Sequence, residues 1–141
     1  MARIEEIIEQ FQDADYQETL GLLIDYSEDL PQLPERFVEE RDNGYNRVHE
    51  CETPVFIFIE VKNEKVNIFA DVPEESPTVR GLVSILVNAF DGVSAGEIEN
   101  APPDLLMRLG LAQKLGIRRV RGLSAVYAMI KNEVKRQAAH N

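Results

Sequence analysis

The side chain best suited to covalent chemistry is Cys51, the single cysteine of the 141-residue chain. It stands in Val48-His49-Glu50-Cys51-Glu52-Thr53-Pro54, a polar connection leading into the apolar run Val55–Val61. A lone thiol cannot form an internal disulfide. It is either a nucleophile or a small, inert hydrophobe. A lone cysteine is most often the second, but its place in a connection favours the first, because functional side chains concentrate in such segments. His49, two residues away, could assist deprotonation. Glu50 and Glu52 act against it, since neighbouring negative charges disfavour a thiolate. A thiol so placed is a weak resting nucleophile and needs a cation from the fold or from a partner.

Other chemistries find little support. Cys51, His49 and His140 do not make a zinc ligand set, so no metal is expected. The chain contains neither G-x-x-x-x-G-K-[ST] nor G-x-G-x-x-G. No resident cofactor is expected. Carboxylates abound, but in an acidic chain most form solvated faces, and no acid–base pair stands out.

Net charge is −10, which argues against nucleic-acid binding, because phosphate contacts need Lys and Arg. The charge is uneven: residues 1–103 carry 7 Lys+Arg against 23 Asp+Glu, and residues 104–141 carry 8 against 2. Such a basic tail is either a solvated helix face or a docking surface. No run approaches the ~20 apolar residues of a membrane span. The start, Met1-Ala2-Arg3-Ile4-Glu5-Glu6, lacks the basic and apolar regions of a secretory signal, so a cytoplasmic location is the expectation.

The elements that must position Cys51 follow from periodicity. A single domain over residues 1–141 is expected. Ile4, Ile7, Ile8 and Phe11 fall on one face of a first helix. Asp15 and Glu18 form a capping box for a second, whose inner face is read as Tyr16, Leu20, Leu23, Ile24 and Leu30. Pro31 stops it at Leu30. A polar stretch follows to Tyr45.

Val55–Val61 and Val66–Ala70, joined by Lys62-Asn63-Glu64-Lys65, predict a hairpin, with a short strand near Asn46–Val48 beside it. Ser76-Pro77 opens a helix through Val79, Leu82, Val83, Leu86 and Phe90 that ends at Asp91-Gly92. Ser94 with Glu97 starts a short helix, and Leu105, Leu106 and Leu109 begin another. A last helix from about Arg118 presents Val120, Leu123, Tyr127, Ile130 and Val134 on one face. Gly21, Gly81 and Gly122 lie inside helices and read as close-packing points. The fold class is α+β: a small antiparallel sheet with helices packed on one side.

Val48, Cys51, Thr53, Val55 and Phe56 resemble the cysteine loop of the SufE family, with Glu50 where that family usually has Gly. Leu30-Pro31-Gln32-Leu33-Pro34 is similar to the segment closing the family's second helix. Thr78-Val79-Arg80-Gly81-Leu82 is similar to its Val-Lys/Arg-Gly-Leu helix. Leu109-Gly110-Leu111 and Arg119-Val120-Arg121-Gly122-Leu123 resemble the stretch leading into its C-terminal helix. The similarity runs from about Ile4 to Lys135.

The resemblance implies a sulfur shuttle. A pyridoxal-phosphate cysteine desulfurase (SufS-like) makes a persulfide, the carrier takes the outer sulfur onto its own cysteine, and iron–sulfur scaffold proteins receive it. Cys51 matches the acceptor, Arg119 matches an arginine near the cysteine loop, and the cofactor belongs to the partner. The family's loop can hold its cysteine against an apolar pocket and swing out on docking.

Two readings from other classes stand beside this one. The chain could be a non-catalytic acidic interaction module with a structural Cys51, or a cysteine enzyme pairing Cys51 with His49.

Overall fold

The computed structural model describes residues 2–140. The described residues form helices α1 (Ala2–Gln12), α2 (Tyr16–Asp29), α3 (Val38–Asp42), α4 (Pro77–Phe90), α5 (Ala95–Glu99), α6 (Leu105–Arg108), α7 (Leu111–Leu115) and α8 (Ile117–Ala139). Strands β1 (Phe56–Lys62) and β2 (Lys65–Asp71) pair antiparallel, giving an α+β architecture. Asn63 and Glu64 both take positive φ, 53° and 67°. That is the geometry of a two-residue turn whose twist matches the strands it joins.

Strand alternation decides what each sheet face meets. Ile57, Ile59 and Val61 pair with Ala70, Ile68 and Val66, and all six are buried. Helix α8 packs on β1 and α4 on β2. On the opposite face, Phe58 and Phe69 meet Phe37, at ring-centroid distances of 4.7 and 5.1 Å. Phe37 comes from a 3₁₀ turn, Glu35–Phe37, followed directly by α3. The stretch read as merely polar therefore supplies an aromatic lid to the sheet.

A two-stranded sheet is marginal unless its edges are covered. Here both are. Gln137 of α8 donates to Ile59 O (2.7 Å) and accepts from Val61 N (3.0 Å), standing in for a strand along β1. The expected strand near Asn46–Val48 is reduced to one bridge, Arg47 with Phe56. Along β2, Ile68 N donates to Asp91 Oδ1 at 2.8 Å, and Gly92 N donates to Val66 O at 2.7 Å.

The capping signals behave as their chemistry requires. Both halves of the Asp15–Glu18 box form, and Ser94 accepts from Glu97 N. Ser76 precedes Pro77 at N1 but makes no side-chain cap bond. α4 ends at Phe90, with Gly92 at φ 81°.

The inner face of α2 needs correction. Tyr16 and Ile24 are half-exposed at 51% and 49%, and the buried positions are Thr19, Leu23 and Ser27. Thr19 and Ser27 are tolerated there because each hydroxyl donates to a carbonyl at the preceding turn, Asp15 O and Ile24 O. Small residues on this face let α2 approach α4 closely at Gly81. Gly21 meets nothing within 4 Å and is not a packing point.

Tyr127 joins α8 to the connection before α6. Its ring stacks on Phe90 at 5.8 Å, and its hydroxyl donates to Pro102 O at 2.7 Å. Burial, with a contribution from Asp104, pushes the phenol up to about 12. The folded state thus holds this proton more tightly than the unfolded chain, whose phenol titrates near 10.0. The resulting stability is complete below that value and is lost as pH rises through it toward 12. Tyr127→Phe is expected to cost about 1 kcal/mol at neutral pH and to flatten the alkaline fall. Urea melts from about pH 7 to 11 check both.

Candidate functional site

The cysteine loop is pinched shut at its base. Val48 N donates to Val55 O at 2.8 Å, and both residues are buried. Cys51 N donates to Val48 O at 3.2 Å, so the chain turns back at the thiol. His49, Glu50 and Glu52 are exposed, whereas Cys51 and Thr53 are half-buried. Anchored apolar residues on both sides thus hold a polar loop against the body of the protein.

The loop forms one wall of a groove of about 640 Å³. The first turns of α4 and of α8 form the others. Val79, Leu82, Val83, Leu123 and Val126 give the groove an apolar lining, while Arg118, Arg119 and Arg121 contribute cations. Cys51 touches α8 at a defined place: Sγ lies 3.1 Å from the position a Cβ would take on Gly122. Burial pushes the thiol up from its ordinary range, Glu50 adds to the rise, and Arg47 opposes it. Glu52 reaches Arg118 at 3.5 Å, an ion pair between loop and helix with both partners largely exposed.

Arg119 shares the groove with Cys51, and His49 is not part of its wall. The basic tail divides by function. Lys114 and Lys131 donate to the carbonyls of Phe11 and Ala101, and Arg136 pairs with Glu133. Arg118, Arg119 and Arg121 border the groove. Cations at a helix N-terminus oppose the macrodipole. Three arginines within the first five residues of α8 therefore do nothing for the helix, a mismatch by which these side chains could have been singled out from the sequence. The contributions of Arg118, Arg121 and the start of α4 escaped sequence reasoning because they meet the loop only through the tertiary fold.

The arrangement keeps a thiol protonated and partly covered, beside an apolar lining and exposed cations. It suits a cysteine that reacts when a partner changes its surroundings.

Comparison with known proteins bears on this geometry. The description "SufE: Fe-S metabolism associated domain" matches residues 5–134. A SufE-like protein of Mycobacterium tuberculosis is 33% identical over 135 residues, covering 95% of this chain and 92% of the relative. The sulfur acceptor protein CsdE of Escherichia coli is 31% identical over 106 residues, covering 74% of this chain and 68% of its own. The solution structure of a hypothetical protein from Thermus thermophilus superposes with a TM-score of 0.81 at 27% identity, covering 97% of this chain and 96% of that one. With a match spanning nearly its whole length, the chain belongs to the SufE family.

Proposed function

We propose that this protein is a sulfur carrier. Cys51 accepts sulfane sulfur from the persulfide of a pyridoxal-phosphate cysteine desulfurase, stimulates that enzyme by clearing its product, and hands the sulfur on toward iron–sulfur cluster assembly. The observation that carries the reading is the half-buried Cys51 thiol on an anchored loop at the mouth of a groove. The family's description and the acceptor role in the name of the Escherichia coli relative support it.

The transfer balances without an added oxidant. The Cys51 thiolate attacks the outer sulfur of the donor persulfide, a new S–S bond forms on Cys51, and the donor's thiolate leaves. The cofactor stays with the donor. In the free protein the raised thiol pKa limits the thiolate, which guards Cys51 against stray oxidation. Docking supplies what is missing: each 1.4 kcal/mol of added electrostatic stabilisation lowers the thiol by about one unit. Arg119 is placed to contribute positive charge at the groove, and His49 is a weaker candidate for helping the proton leave. The setting is cytoplasmic, and the chain acts as one domain.

Mass spectrometry after incubation with a cysteine desulfurase, pyridoxal phosphate and L-cysteine tests the proposal. The chain is expected to gain the mass of one sulfur atom, reversible by dithiothreitol and located on the peptide containing Cys51. A chain that gains nothing while the desulfurase turns over is not a carrier.

A further inference from the structure

A glycine in the second turn of a 23-residue helix is a poor choice for the helix itself, because it adds backbone freedom and buries no side chain. Gly122 must therefore answer to something outside α8. The three heavy atoms nearest to a Cβ built there all belong to Cys51: Sγ at 3.1 Å, Cα at 3.8 Å and Cβ at 3.9 Å. Ordinary contacts between carbon atoms lie at about 3.5–4.0 Å, and sulfur is larger. A methyl group at this position would crowd the thiol, which would have to give way by a few tenths of an ångström.

The other helical glycines show that this relation is specific. At Gly81 the obstacle is the backbone of Leu23, and at Gly21 there is open space. Only at Gly122 is the neighbouring group a single reactive side chain carried on a loop.

We infer that Gly122 is a positioning residue: the notch left by its missing side chain seats Cys51 Sγ against α8 and so sets how far the thiol is withdrawn from solvent. The functional meaning of this device rests on the carrier reading, since it governs how readily Cys51 meets another sulfur. The geometry itself does not depend on that reading. An added Cβ asks only Sγ to give way, since Cα and Cβ of Cys51 stay at ordinary contact distance, and rotation of the Cys51 side chain away from the helix relieves it. The alternatives would move α8 or the loop base fixed by Val48 and Val55.

The test is the rate at which iodoacetamide alkylates Cys51 in the free, full-length chain, followed across about pH 6–10. Gly122→Ala and Gly122→Ser place the same Cβ with two different substituents, and Gly21→Ala is the control in open space. Both Gly122 variants are expected to react at least about fivefold faster at neutral pH, with the midpoint of the pH profile moved down toward the ordinary thiol range. Their melting temperatures should equal or exceed the parent's, because Ala and Ser are both better helix formers than Gly.

A merely structural glycine would give the opposite signature, a lower melting temperature with the pH midpoint unmoved, and that result overturns the inference. So does an equal acceleration in Gly21→Ala. Sulfur loading by a desulfurase is read separately on the same proteins. Faster alkylation with no sulfur gained by any chain would leave the notch standing and remove the carrier role.

Discussion

Cys51→Ser is expected to abolish sulfur uptake, with loading by a desulfurase falling at least about a thousandfold, to the background of the assay. Serine nearly matches the thiol in shape, but an alcohol neither ionises near neutral pH nor forms a stable bond to sulfane sulfur, so no part-reaction survives. The fold should be indifferent. Cys51 is only half-buried, and its backbone N–H bond to Val48 O is kept, so stability should move by no more than about 1 kcal/mol.

The variant should still bind a desulfurase while failing to relieve it. A chain that works equally well without its thiol is instead the acidic interaction module. The pH dependence gives a second signature. In the folded parent the thiol is raised above 9.0, chiefly by burial and then by Glu50. Stability tied to the protonated thiol is therefore complete below the unfolded thiol's value and declines as pH rises past it. Cys51→Ser removes that decline, and matched urea melts on either side of about pH 9 would show it.

How much of this was legible beforehand depends on whether a feature is written in local spacing. The hairpin was, because Val-Phe-Ile-Phe-Ile-Glu-Val and Val-Asn-Ile-Phe-Ala carry strand composition on both sides of a short turn. The Asp15–Glu18 box was, because a capping box is a contact between residues three apart. The face of α2 was not. Helical period marks Tyr16 and Ile24 as apolar positions, but the close approach at Gly81 selects small side chains, and Thr19 and Ser27 meet that demand while bonding nearby backbone. Phe37 was also passed over, because one aromatic in a charged stretch gives no periodic signal. Its aromatic partners, Phe58 and Phe69, lie far along the chain.

At the site, the family resemblance singled out Cys51 as the candidate acceptor. The groove brings residues near 50, 78 and 120 together, and no local pattern contains that.

Gly81→Ala should be the most destabilising conservative change in the chain, although Ala is the better helix former by about 1 kcal/mol. A Cβ at Gly81 would lie 2.2 Å from Leu23 O, 2.9 Å from its C and 3.0 Å from its Cα. These are backbone atoms in the middle of α2, so no rotamer change relieves the overlap; the two helices must separate.

Their separation is opposed next door. The Arg80 guanidinium donates to Ser27 O (2.9 Å), Leu30 O (3.1 Å) and Val72 O (2.6 Å), tying the end of α2 and the exit of β2 to α4. Moving α2 away strains these bonds and opens space around Leu23, which is 1% exposed. Overpacking of this kind commonly costs about 1–3 kcal/mol, and a clash against fixed backbone belongs at or above the top of that range.

A net loss of about 3 kcal/mol, or roughly 6–12 °C in melting temperature, is expected after the propensity gain. Gly21→Ala, with the same propensity gain and nothing to strike, should stabilise the chain by about 0.5–1 kcal/mol. Thermal and urea melts of the pair measure the contrast directly. If the two variants melted within about 2 °C of each other, α2 and α4 would not cross at Gly81 as closely as 2.2 Å implies. The groove wall that α4 presents to Cys51 would then be softer than the geometry requires.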